Sequence, residues 1–181
     1  MSRKIGFGLS VKEINAAIKE LNQYKSDLNH KCQEFCVRLC ELGIKTAVVN
    51  TGKYGDFITF SIETSDSGSG FKSIMIASNT GLIRSEWRTK DGVKTADISP
   101  ILMAEFGSGL KANNPKADEF SMGTGTFPGQ THAENPEGWW WMDLDGEWHH
   151  SLGYEPTMPV YKASAEMAQN IERVAREVFG L

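Results

Sequence analysis

Most of what marks an enzyme, a membrane protein or a secreted protein is missing from this chain of 181 residues. No apolar run approaches the roughly 20 residues that span a bilayer. The first residues, Met-Ser-Arg-Lys-Ile-Gly-Phe-Gly-Leu, carry two cations but no apolar core of signal-peptide length. Synthesis and residence in the cytoplasm is therefore the expectation. The net charge of −4 lacks the basic excess that displaces counterions from nucleic acid, so neither specific nucleic acid nor membrane is expected as a partner. Cysteine is scarce too. Cys32, Cys36 and Cys40 fall four apart in a helical segment, and an odd count along one helix is not a disulfide framework. Their spacing is not that of a radical iron–sulfur enzyme, so they read as small buried or half-buried hydrophobes.

Catalytic and metal motifs are equally absent. There is no Gly-x-Ser-x-Gly elbow and no serine or cysteine at a telling distance from a histidine. Residues 122–131, Met-Gly-Thr-Gly-Thr-Phe-Pro-Gly-Gln-Thr, look faintly like a phosphate loop, but lack its lysine and place Pro128 where a glycine belongs. His149 and His150 are neighbours, so on a strand they point to opposite faces. With His132, Asp143, Asp145 and Glu147 near in sequence they invite a zinc or calcium site, yet none shows the fixed ligand spacing of a zinc motif. No catalytic residue, metal or cofactor is expected, and the chain reads as a non-enzyme.

What remains is 40% hydrophobic and 23% charged, an ordinary globular composition, with enough residues for one core. Residues 10–42 are the most periodic part. Val11, Ile14, Ile18, Leu21, Leu28, Cys32, Phe35, Leu39 and Leu42 alternate by threes and fours, with Lys25 in the one missing place. That predicts a helix of roughly 50 Å with a heptad seam. Ser10 and Glu13 form a capping box at its start, and Gly43 is the natural stop. The half containing the cysteines should lie on a sheet. The first half either lies there too or projects toward another subunit.

After a short apolar segment at 44–49 and a turn at Asn50-Thr51-Gly52, residues 56–90 alternate as strands: 56–63, 71–78 and 82–90, with a tight turn at Asp91-Gly92. Residues 98–107 predict a short helix, capped by Ser99, with Pro100 in its first turn and Gly107 at its end. Glu105 is its odd residue, an acid between Ala104 and Phe106. It is either locally satisfied or held for a partner chain. Residues 110–137, rich in Gly, Pro, Asn, Thr and Ser, read as a flexible insertion. Residues 139–152 then form a Trp-rich hairpin of strands 139–144 and 147–152, turned at Asp145-Gly146 in the type I′ manner. Trp140 should face opposite to Trp139 and Trp141. An amphipathic helix over 159–179, opened by Met158-Pro159, closes the chain. The whole predicts a single α+β domain: a long N-terminal and a C-terminal helix packed on a small, mainly antiparallel sheet.

The order of these features resembles the small tail-completion or neck proteins of long-tailed bacteriophages and prophages. The features that carry it are Thr51-Gly52 after the helix, Ala104-Glu105-Phe106-Gly107-Ser108-Gly109, the loop elements Asn113-Asn114-Pro115, Gly138-Trp139-Trp140 and Asp145-Gly146-Glu147-Trp148-His149, and the opening Met158-Pro159-Val160-Tyr161. Ala47-Val48-Val49-Asn50 stands where that family has Ala-Pro-Val-Asp. The resemblance implies a non-enzymatic structural protein of the virion that joins a ring at the neck, with other copies of itself and other neck or tail proteins as partners. It also implies residence in the host cytoplasm during assembly and then in the particle. Glu105, Phe106, Trp139, Trp141 and Trp148 are the expected subunit contacts. A rival reading gives the Trp-rich hairpin a carbohydrate or small ligand, and another gives His132, His149 and their acidic neighbours a metal-dependent hydrolysis.

Overall fold

The computed structural model describes residues 8, 10–67, 70–112 and 135–180. Most of the 110–137 insertion, with His132, Asn113-Asn114-Pro115 and residues 122–131, lies outside the described residues. The architecture is α+β, and all its strand pairs are antiparallel.

Helix α1 is Val11–Val49. Its start is the expected capping box: the Glu13 N–H donates to Ser10 Oγ at 3.3 Å and the Ser10 N–H to Glu13 Oε2 at 3.3 Å. Its end is not where the sequence put it. Gly43 lies inside the helix, buried, and a Cβ built there would meet Met167 Sδ at 2.8 Å. The glycine is a flat spot for a second helix and not a stop, because tertiary packing outweighs its poor helix propensity. The helix continues through the apolar residues 44–49 and ends at Asn50, whose Nδ2 donates to the Thr46 carbonyl at 2.8 Å.

That second helix is α3, Pro159–Phe179, which runs antiparallel along the C-terminal part of α1. Lys162 Nζ donates to Asn50 Oδ1 at 2.9 Å near one end, Met167 sits on Gly43, and Phe179 packs on Phe35 with ring centroids 6.0 Å apart at the other. Beyond Phe35, α1 continues toward its N-terminus for about 35 Å without α3 beside it. The apolar positions of that stretch are exposed, and Ala17 alone is buried there.

Residues Gly52–Phe57 form a 3₁₀ helix where the sequence suggested the start of a strand. Strand β1, Ile58–Asp66, follows, paired in register with β2, Phe71–Asn79. This hairpin is the layer on α1, with β2 the closer strand. The expected single sheet is in fact three sheets. The other two are β4-β3-β6-β7 (β3 Ile83–Thr89, β4 Gly92–Ile98, β6 Trp139–Met142, β7 Trp148–Ser151) and the short pair β5, Ser108–Gly109, with β8, Gly153–Tyr154. Among the described residues no helix is long and apolar enough to cross a membrane.

Helix α2, Pro100–Phe106, bridges these parts. Its cap is shared. Ser99 Oγ accepts from the Leu102 N–H at 3.4 Å, while Asn79 at the end of β2 accepts from the Ile101 N–H at 2.9 Å and donates to Ser99 Oγ at 2.8 Å. Ala104 is fully buried with Tyr54 and Ile58, and Phe60, Ile83, Ile101, Met103 and Tyr154 pack around them. Gly107 ends the helix at φ 71°, ψ −158°, a backbone state open essentially to glycine. A side chain there would collide with the Tyr154 carbonyl and with Pro156. Gly107→Ala is therefore expected to destabilise the fold by on the order of 3 kcal/mol, by backbone strain plus overpacking. Chemical denaturation of the two proteins measures it.

Candidate functional site

Helix α3 begins under an unusual constraint. Its N-cap is Met158, a left-handed residue at φ 53°, ψ 53° with no side chain able to accept a hydrogen bond. The first N–H groups of a helix need acceptors. They find them on α2, more than fifty residues earlier. Glu105 Oε2 accepts from the Val160 N–H at 2.8 Å and Oε1 from the Tyr161 N–H at 2.9 Å. These are the second and third helical positions, the ones a local cap residue would serve. Beside them the Ala104 carbonyl accepts from the Thr157 and Met158 N–H groups at 2.8 and 3.0 Å. Gly52, at φ 59°, closes the joint: a Cβ on it would touch the Tyr154 hydroxyl at 3.0 Å and Thr157 Cγ2 at 3.1 Å. The Tyr54 and Tyr154 rings meet edge to face at 5.1 Å, with Lys53 Nζ 4.4 Å from the Tyr154 centroid.

So Thr51-Gly52, Ala104-Glu105-Phe106-Gly107 and Met158-Pro159, far apart in sequence, meet in one place. Burial pushes the Glu105 carboxyl above the usual carboxylate range, while the Val160 and Tyr161 N–H groups and the Lys162 ammonium pull it partly back. Both of its oxygens are taken up within its own chain. Phe106, next to it, is half-buried.

The Trp-rich hairpin is the second candidate surface. Its turn differs from the expected type I′. Gly146 N–H donates to the Asp143 carbonyl at 3.3 Å and Asp143 N–H to the Glu147 carbonyl at 3.0 Å, with Gly146 at φ 91°. This is a three-residue loop, a type I turn followed by a left-handed glycine. The extra residue matters for every side chain beyond it. A two-residue turn would pair Trp148 with Asp143 and set it on the face of Trp139 and Trp141. The observed register pairs Trp148 with Met142 and Trp140 with His150, which puts Trp148 and Trp140 on the same face.

The two faces are unlike. Inward, Trp139 is half-buried with its ring against Gly109, and Trp141 stacks on His149 at 4.5 Å between centroids. Outward, Trp140 and Trp148 are 65% and 62% exposed, and Trp140 stacks on His150 at 4.6 Å. Of the five residues singled out as contacts, Trp148 alone lies on an exposed surface. Alternation sets Trp140 opposite Trp139 and Trp141, but which face is inner is fixed by the packing of Trp139 on Gly109, thirty residues earlier, and the face of Trp148 by the loop count. The Asp-Leu-Asp-Gly-Glu string fits either turn.

Asp143, Glu147 and His149 form the one group of three ligand-type side chains among the described residues, with one atom of each within 4.8 Å of the others. Two carboxylates and an imidazole suit a divalent cation in kind. Their present bonds belong to the turn. Asp143 Oδ2 lies 2.7 Å from His149 Nε2, and Oδ1 accepts from the Glu147 N–H at 2.9 Å. The hydrogen bond from His149, then that from Glu147, holds the Asp143 carboxyl below its usual range. The second imidazole, His150, is held on the Glu137 carbonyl at 2.6 Å. Among the described residues no further ligand joins these three. No protein-family model matches the chain, and no curated protein and no solved structure matches it.

Removing the Glu105 carboxylate should orphan two N–H groups at the start of α3. Glu105→Ala is expected to lose about 1–3 kcal/mol, as for a lost cap with unsatisfied donors, read as a lower thermal midpoint. The pH profile identifies the group. Between its unfolded and its raised folded pKa, Glu105 binds more proton folded than unfolded, so wild-type stability falls as pH rises through that window. The variant should lack this fall, and identical profiles would remove Glu105 as the titrating group.

Proposed function

We propose that this chain is a non-enzymatic structural protein of a phage or prophage virion, acting in tail completion or head–tail joining as a subunit of a ring at the neck. One observation carries the reading. Three of the short motifs that resemble the tail-completion family form one joint in space, where Gly52, Glu105 and the first turn of α3 hold each other. Motifs that meet physically support a shared fold better than motifs that merely follow in order.

The assembly role rests on surface. In this reading the outward face of the hairpin, Trp140 and Trp148, takes the place of Trp139 and Trp141 as the aromatic contact between subunits. Large exposed aromatics of this kind are the usual anchors of protein interfaces. Glu105, Trp139 and Trp141 serve the chain's own folding, so their replacement would weaken assembly only indirectly.

A carbohydrate-binding role for the same face is the second reading, since two solvent-facing tryptophans on one ribbon also suit a sugar ring. A saturable shift in tryptophan fluorescence on titration with oligosaccharides would favour it.

Deleting the gene from its parent phage or prophage, inducing, and imaging the lysate tests the structural reading. Full heads beside separate tails are expected, and intact infectious particles would overturn it. Complementation with Trp140→Ala/Trp148→Ala then tests the surface. The variant should fold with the wild-type thermal midpoint to within a few degrees, yet be absent from purified particles.

A further inference from the structure

We propose that the N-terminal half of α1, which α3 does not accompany, pairs with the same half of a second copy, as a two-stranded antiparallel coiled coil. The inference stands on the geometry of α1 and not on the virion reading. The seam of α1 is continuous, but α3 accompanies it only from Phe179 opposite Phe35 onward. Before that point Val11, Ile14, Ile18, Leu21 and Leu28 are 76%, 37%, 50%, 52% and 40% exposed. Their spacing repeats every seven residues, and such a stripe fits a helix better than a flat sheet or a loop.

Three features select a second copy and its direction. The first is charge balance. The stretch 11–31 carries Lys12, Lys19, Lys25 and Lys31 against Glu13, Glu20 and Asp27, so two copies meet without a large excess of one sign. The acids fall seven apart on the side away from the seam. Asn15, Asn22 and Asn29 flank the seam on one side; on the other, Ala17, buried within its own chain, and Tyr24 lead to Lys31 at the end of the stretch.

The second feature is Lys25, the one cation inside the seam. Parallel, in-register pairing would set Lys25 against its own copy, with no acid flanking the seam to offset it. Antiparallel pairing centred between Ile18 and Leu21 sets it against Ile14, where its stem packs and its ammonium reaches water. The same register sets Val11 against Leu28 and Ile18 against Leu21. The helix dipoles then oppose each other favourably.

The third feature is area. At the ordinary size of these side chains and Tyr24, the exposed stripe offers on the order of 600 Å² per copy, hence about 1,200 Å² for the pair, the lower end of what a stable interface buries. Such a pair is symmetric and closes on itself, so it is a contact distinct from those that would propagate a ring.

Light scattering on the full chain at micromolar concentration tests the pairing. Twice the mass of the chain is expected, falling to a single chain in Ile18→Glu/Leu21→Glu. Near-ultraviolet dichroism of the tryptophans is the control for folding, because the arm contains none. A monomeric wild type, which would hand the stripe to a different protein, overturns the proposal. So does any assembly whose mass the double substitution leaves unchanged.

Direction is tested in a background with Cys32, Cys36 and Cys40 replaced by alanine. Under mild oxidation Ile18→Cys alone should stay uncrosslinked, while a mixture of Ile18→Cys and Leu21→Cys copies should give a disulfide-linked dimer. Efficient crosslinking of Ile18→Cys to itself would mean parallel pairing and overturn the antiparallel assignment.

Discussion

The Glu105 carboxylate over the first turn of α3 is the constraint on which the rest of this structure depends. It is a helix cap supplied from another helix. Because the Met158 side chain makes no cap, the N–H groups of Val160 and Tyr161 are satisfied only where α2 presents its acid. The position of α2 is in turn fixed by Asn79 at the end of β2. And α1 receives α3 along Gly43. One ionisable side chain thus links the hairpin layer to the helical layer, and it does so half-desolvated, which is why its proton affinity rises.

How far the sequence foretold this follows from how local each interaction is. The capping box of Ser10 and Glu13 and the Ser99, Pro100, Gly107 frame of α2 are complete within a few residues of chain, and each stands as expected. The helices, strands and their α+β class follow from periodicity in the same way. Gly43 misleads because a glycine at a helix end and a glycine under a crossing helix look alike until the crossing helix is in place. Glu105 drew notice as an acid in an apolar run, but its donors lie 55 and 56 positions away and nothing nearby names them. The single expected sheet divided because the ladder between β3 and β6 joins strands separated by α2 and the insertion.

The candidate surfaces were only half legible for a related reason. Alternation correctly separated Trp140 from Trp139 and Trp141. Which tryptophans share a face with Trp148 is a question of register across a turn, and Asp145-Gly146 suits both loop lengths. Exposure of the arm is left open by the heptads themselves, since a seam records an apolar stripe and not what covers it. In this chain α3 covers one part of the seam and ends.

The three-residue hairpin loop has an evolutionary corollary. Substitution alters a surface one side chain at a time, but a change of one residue in the length of this turn exchanges the inner and outer faces of everything beyond it. Losing one position between Asp143 and Trp148 would turn Trp148 inward and present His149 to solvent in its place. Length variation in that loop is thus a single genetic step that rewrites which side chains the hairpin shows to solvent, while the joint around Glu105 is left untouched.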